Sequence, residues 1–243
     1  MLRHGESHWN LENRFTGWTD INLTKRGITE AKKAGKLLNK ESFEFDLVYT
    51  SVLKRADETL KLCLDAMEIK DIPIEYDWRL NERHYGALQG LNKSDTAKKY
   101  GDKQVLLWRR SYDVPPPLLD LEDDRHPKFD IKYQSLKTYE LPRGECLKDT
   151  VNRIIPIWKN TIAPKILLQK KILIVAHGNS IRAIVKILDQ ISNEKIVELN
   201  IPTGIPLVYE LNNKLNPLNH YYLGDPNELE KRIAKVIAQE KSN

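Results

Sequence analysis

Cysteine is scarce in this chain: 243 residues contain two, Cys63 and Cys146. Both stand in stretches that read as helical and lack the close spacing of a zinc or redox motif. Both are therefore expected to be reduced, structural thiols of a cytoplasmic protein, with no metal site. Long apolar runs are also absent. None approaches the roughly 20 residues needed to cross a bilayer, and the N-terminus lacks the apolar core of a secretory signal, so no membrane association is expected. There are no repeats and no low-complexity segments. No basic stripe interleaves with aromatic residues, which argues against a nucleic-acid surface.

What the chain has instead is an ordinary globular composition, 40% hydrophobic and 30% charged, which excludes overall disorder and suits one sizeable α/β domain. Its net charge of +5 invites an anionic partner. Most lysines (Lys32, Lys33, Lys36, Lys98, Lys99, Lys231, Lys235) decorate predicted helices, the pattern of a solvated face. Arg3, Arg55, Arg83, Arg109 and Arg110 instead fall in turns or beside unusual residues. Arginine's planar fork suits bidentate phosphate recognition, so the concentrated signal is for compact phosphate ligands.

Periodicity organises the rest. Ile28, Ala31, Gly35 and Leu38 recur at helical spacing between Thr24, a plausible N-cap, and Lys40. Residues 46–51 read as a strand, and Leu53, Ala56, Leu60, Cys63, Leu64 and Met67 as a second helix. IPIEYDWRL, residues 72–80, reads as a further strand. A triple proline, Pro115 to Pro117, opens a polar insertion at about 112–144, expected to lie over the domain as a lid. Helical pattern resumes over 145–168, interrupted by Pro156 and Pro164. KILIVAHG, residues 171–178, is the strongest strand and feeds the helical SIRAIVKILD. IPLVYEL and LNHYYL read as two more strands before a charged, amphipathic tail, expected to be mobile, over 225–243. Alternating strands and helices predict a mostly parallel central sheet flanked by helices on both faces.

Two corners are chemically alike, LRHGES at 2–7 and VAHGNS at 175–180. Ligands of open α/β sheets bind where strands end and helices begin, and the amides of a helix N-terminus attract anions. His4 and His177 are each followed by a glycine that lets backbone approach a ligand closely. Two imidazoles could thus converge on one phosphoryl group, one as nucleophile and one as electrostatic partner. Only Met1 and Leu2 precede the first corner, so its strand is expected to start upstream of Met1. Arg3 is placed to neutralise a phosphoryl group, and Glu6 reads as a structural or positioning residue. In LNERHYGALQGLNK, residues 80–93, Glu82 follows a strand and lands at the same sheet edge; a carboxyl of raised pKa there could move a hydroxyl proton. The same residue reads equally as a salt-bridged neighbour of Arg83. Arg109 and Arg110 in WRRS both reach one ligand only near a helix end.

RHGES, FTGWTDINLT, YTSVLKRA, RLNERHYG with LQGLNK, WRRSYDVPPP, ECLKDT, VAHGNSIRA and ELNIPTGIPLVYEL together resemble the cofactor-dependent phosphoglycerate mutases of the histidine phosphatase superfamily. The likeness runs from Leu2 to about Leu223. RHG marks only the superfamily; NERHYG, the WRRSYD run with its prolines, and NIPTG are specific to the mutases. The resemblance implies interconversion of 3-phosphoglycerate and 2-phosphoglycerate, in glycolysis and gluconeogenesis, primed by 2,3-bisphosphoglycerate and not by a metal. It implies that His4 is phosphorylated, that His177 is the second active-site histidine, that Glu82 is the general acid and base, and that Arg3 and Arg55 complete the phosphate pocket. It assigns substrate binding to Ser7, Asn10, Thr16, Gly17, Tyr85, Lys93, Arg109, Arg110, Gly178 and Asn179. It also implies a homodimer or homotetramer. The competing readings are a phosphomonoester phosphatase, a bisphosphoglycerate mutase, and a non-catalytic binding protein on the same fold; intact His4, His177 and Glu82 count against the last.

Overall fold

The computed structural model describes residues 1–238; the final five residues of the predicted tail lie outside them. Four strands, β1 (Leu2–Arg3), β2 (Leu47–Thr50), β3 (Ile74–Tyr76) and β4 (Ile172–Ala176), form one sheet in the order β1-β4-β2-β3, every pair parallel. The helices are α1 (His8–Leu11), α2 (Lys25–Lys40), α3 (Lys54–Ala66), α4 (Lys93–Tyr100), α5 (Asp102–Arg110), α6 (Leu147–Ile157), α7 (Ala163–Leu167), α8 (Gly178–Leu188) and α9 (Pro226–Ala238). A hairpin of β5 (Leu207–Leu211) and β6 (Pro217–Tyr222) is tied to the sheet by a pair of backbone bonds between Met1 and Leu207.

Side-chain alternation divides the strands between two cores. Tyr49, Ile174 and Ala176 point into a cluster with Leu147, Ile154, Ile181 and Ile184 of α6 and α8, while Val48, Leu173 and Val175 point into one with Ala34, Leu38, Leu60 and Cys63 of α2 and α3. The sheet is covered on both faces, as its unbroken apolar strands require. Among the described residues no helix is long and apolar enough to cross a membrane.

Two sequence readings change. The strand expected over 72–80 is only Ile74–Tyr76: the Asp77 carboxylate accepts from the Arg79 amide at 2.8 Å and turns the chain into a short 3-10 helix, Trp78–Leu80. The helix expected over 145–168 starts at Leu147, so Cys146 is its N-cap and not a helical residue. Pro156, which has no amide to donate, is followed by a π-helical turn, Trp158–Ile162, before α7. The proline-rich insertion carries three 3-10 turns and buries Leu119, His126, Tyr133 and Leu141. Tyr133 packs at a tilt against Trp18, ring centroids 4.8 Å apart, and accepts a bond from Asn81 Nδ2 at 2.9 Å, so the insertion is packed onto the segment that carries Glu82.

Candidate active site

The carboxyl ends of β1, β4, β2 and the turn after β3 deliver His4, His177, Ser51 and Glu82 to one edge of the sheet. His4 Nδ1 lies 2.7 Å from the Gly5 carbonyl, which can only accept, so Nδ1 carries the proton and Nε2 the lone pair. That lone pair accepts from Arg55 Nε at 3.3 Å. Burial, then the Arg55 and Arg3 charges, hold the His4 pKa well below the usual 6.5, so the ring is neutral at neutral pH. His177 packs beside it, ring centroids 5.0 Å apart, with Nε2 bonded to Ser51 Oγ at 2.7 Å and a buried Nδ1 that has no partner among the described residues. Its pKa is lowered by burial and then by Arg55, His4 and Arg3.

Of the two corner glycines, Gly5 acts differently from the sequence expectation. A Cβ on Gly5 would stand 2.3 Å from the Gly27 carbonyl oxygen, and one on Gly27 would stand 2.1 Å from that of Glu6. Gly5 therefore admits the protein's own α2, not a ligand. A Cβ on Gly178 would meet Arg3 Cζ at 3.4 Å, an ordinary contact.

Arg55 is fully buried and held by two carbonyls, those of Thr19 at 3.0 Å and Gly17 at 2.8 Å. Gly17 has φ +56, and its Cβ would fall 2.0 Å from Gln89 Oε1, so only glycine turns the loop this way. Arg3 donates to the Ile201 carbonyl at 2.6 Å, and its buried Nε has no partner among the described residues. Glu82 accepts three bonds, all on Oε1: from the Arg83 amide at 2.8 Å, the Asn179 amide at 3.1 Å and Asn179 Nδ2 at 2.8 Å. The raised pKa expected for this carboxyl is corrected. Burial pushes it up, but Arg3, the Arg83 and Asn179 bonds and Arg55 together outweigh burial and hold it below the ordinary value. Its backbone is braced by a buried ion pair, Arg153 to Glu145 at 2.6 Å, from which Arg153 also reaches the carbonyls of Asn81 at 2.9 Å and Glu82 at 3.0 Å.

A second set of cations shares the cavity. Lys93 opens α4; burial and then Arg109 and Arg3 bring its ammonium down to about 7. Arg109 and Arg110 end α5, and because the helix stops there both reach the cavity. Arg110 donates to the Val197 carbonyl at 3.0 Å and Asn200 Oδ1 at 2.6 Å.

A protein-family model described as the histidine phosphatase superfamily (branch 1) matches residues 1–125 and 118–214. The chain belongs to that superfamily. Its fold resembles the mycobacterial glucosyl-3-phosphoglycerate phosphatase solved with VO3 (TM-score 0.67, 22% identity, 91% of this chain and 95% of that one). It also resembles the α-ribazole phosphatase from Shigella flexneri (TM-score 0.63, 22% identity, 92% and 94%) and YhfR from Bacillus stearothermophilus (TM-score 0.66, 24% identity, 89% and 91%). These likenesses show the fold alone.

Of the residues singled out in the sequence, Arg3, His4, Asn10, Thr16, Arg55, Glu82, Tyr85, Lys93, Arg109, Arg110, Gly178 and Asn179 line this superfamily cavity. Ser7, Gly17 and His177 stand behind it. Ser7 caps α1 by accepting from the Asn10 amide at 3.3 Å, Gly17 orients a carbonyl onto Arg55, and His177 backs His4. Arg14, Arg182, Ile201 and Val236 also line it and were not singled out as site residues. Arg182 carried a usable signal, since it follows Asn179 by three residues on a predicted helix and so shares its face.

Proposed function

We propose that this protein is a 2,3-bisphosphoglycerate-dependent phosphoglycerate mutase, working through a phosphohistidine on His4. The observation that carries the reading is the pair of cation sets in one cavity. Arg3 and Arg55 accompany His4, while Lys93, Arg109 and Arg110 come from α4 and α5, with Glu82 the sole carboxylate of the lining among the described residues. A simple monoester needs one anion site. A three-carbon ligand with anionic groups at both ends is matched by two, and the forked donors of arginine fit phosphate and carboxylate alike.

When bound, the bisphosphate supplies the phosphoryl group that loads His4. His4 presents a neutral Nε2 whose tautomer is fixed by Gly5, and Arg3 and Arg55 neutralise the charge of the transferred group. His177, its ring centroid 5.0 Å from that of His4 and its Nε2 bonded to Ser51 Oγ, backs the His4 imidazole from the protein side. Glu82, ionised and saturated on Oε1, takes the proton of the attacking hydroxyl on Oε2 and returns it in the reverse direction. Ile201 and Val236 place apolar surface at the cavity and so limit access of water to the phosphohistidine.

The second reading is hydrolysis, the activity for which the mycobacterial and Shigella relatives are named. His4, the two arginines and Glu82 would serve it equally, with water as acceptor; the second cation set is what favours the mutase. The test is incubation with 3-phosphoglycerate, with and without catalytic 2,3-bisphosphoglycerate and in the presence of a chelator, with His4→Ala as control. Bisphosphate-dependent formation of 2-phosphoglycerate, lost in the variant and indifferent to the chelator, is expected. Accumulation of inorganic phosphate without 2-phosphoglycerate would establish the hydrolase instead.

A further inference from the structure

Arg182 is a buried cation that the reaction described above does not use. It sits on α8, 7% exposed, and donates from Nη1 to Asn179 Oδ1 at 3.1 Å, while its buried Nε has no partner among the described residues. A guanidinium has donors only. The Asn179 atom that faces Arg182 must therefore be the oxygen, and the atom that faces Glu82 must be the nitrogen. That is the arrangement found, with Asn179 Nδ2 donating to Glu82 Oε1 at 2.8 Å beside the Asn179 backbone amide at 3.1 Å on the same oxygen.

We propose that Arg182 is a positioning residue for proton transfer: by holding Asn179 Oδ1 it fixes the amide so that Nδ2 saturates Glu82 Oε1, leaving Oε2 as the oxygen that exchanges the proton. Without Arg182 only the carboxylate itself favours the NH2 end of the Asn179 amide, and Oδ1 loses the donor that holds it. The flipped amide would set Oδ1 against Oε1, an acceptor facing an acceptor, and the carboxyl would take a proton there to relieve it. The direction of the effect follows, because losing a donor to the ionised form raises the pKa of a carboxyl. Arg3 from β1, Arg55 from α3, Lys93 from α4, and Arg83 and Tyr85 from its own loop also act on this carboxyl, and Arg182 adds its own charge. A test has to separate that direct charge effect from action through Asn179.

The role assigned to Glu82 rests on the proposed mutase reading, whereas the relay is measurable on the carboxyl itself. The experiment follows the Glu82 side-chain carbon by NMR during a pH titration of protein labelled with 13C-glutamate, the signal assigned with Glu82→Gln. Wild type, Arg182→Met, Asn179→Ala and the double variant are compared. Arg182→Met is expected to raise the Glu82 midpoint by about one pH unit, a tenfold change in proton affinity. In the Asn179→Ala background the same substitution is expected to add a much smaller shift, the part due to its charge alone. An equal shift in both backgrounds would show that Arg182 acts by charge alone and overturn the relay. An unmoved midpoint, with only a raised KM, would make Arg182 a ligand-binding residue and overturn it too. Should Arg182→Met not fold, Arg182→Gln carries the same comparison, since its amide accepts as well as donates and cannot dictate the orientation of Asn179. A protein without mutase turnover would still give these midpoints, so failure of the enzymatic reading and failure of the relay are distinguishable.

Discussion

Single residues of this protein are held in states that water would not allow. His4, His177, His84 and His126 are buried, and burial is the first cause that lowers the pKa of each, that of His84 to about 3. Below the unfolded value near 6.5 the unfolded chain binds protons that the native protein refuses, so stability falls as pH drops from about 6.5 towards the folded values. A histidine whose folded pKa lies far below that unfolded value, as those of His4, His84 and His177 do, contributes a slope of up to about 1.4 kcal/mol per pH unit in that window. Thermal denaturation should therefore show Tm falling steadily between pH 7 and pH 5. His84 Nδ1 accepts from the Gly86 amide at 3.0 Å, a bond that asparagine Oδ1 can reproduce. His84→Asn is expected to flatten the pH dependence by one proton's worth; an unchanged slope would remove His84 from the account. Gly27 makes a steric prediction at the same scale. Gly27→Ala would drive a Cβ to 2.1 Å from the Glu6 carbonyl oxygen, backbone against backbone, and should cost several kcal/mol in a denaturant melt despite alanine's better helix propensity.

At the scale of elements, legibility in the sequence tracks locality. β2 and β4 were readable because they are buried on both faces and written as unbroken apolar runs, and α2 because Thr24 caps it, accepting from the Gly27 amide at 3.0 Å. β3 was drawn too long because the Asp77 cap is a local competitor that hydrophobicity does not register. The histidine corners stood out because their residue types are unusual, whereas the brace under Glu82 did not, since Glu145 and Arg153 look like two more charges on a polar segment. Folding makes them a buried pair, with side chains 5% and 8% exposed, holding the carbonyls of Asn81 and Glu82 and the His84 amide. Removing one member leaves the other charge buried, which typically costs about 3–5 kcal/mol. Arg153→Met should accordingly lower stability by that order and, by loosening the 81–84 turn, depress kcat more than it raises KM. A variant of normal stability and activity would show that the turn is held by its neighbours alone.

At the scale of the whole molecule, α9 returns from the far end of the chain to the site at its beginning. Val236 lines the active-site cavity, and three ion pairs hold the helix there: Arg232 to buried Glu30 at 2.5 Å, Lys235 to buried Glu6, and Glu228 to Lys33. The amphipathic stripe of the tail was legible, but its docking partner was not, because Glu6 and Glu30 become neighbours only once α2 packs against the first corner; the Glu6 amide donates to Glu30 Oε2 at 2.9 Å. The pairs are unequal. Lys33 and Lys235 have side chains more than one-third exposed and are screened by salt, while Glu30 is 2% exposed and its bond to Arg232 is not. Glu30→Gln is therefore expected to convert a salt-tolerant closure into a salt-sensitive one. If α9 shields a phosphohistidine on His4, this variant should release inorganic phosphate faster than wild type as salt rises from low to moderate concentration. A chain ending at Asp225 should do so at every salt concentration. Equal phosphohistidine lifetimes in wild type, Glu30→Gln and the shortened chain would mean that α9 packs beside the site without closing it.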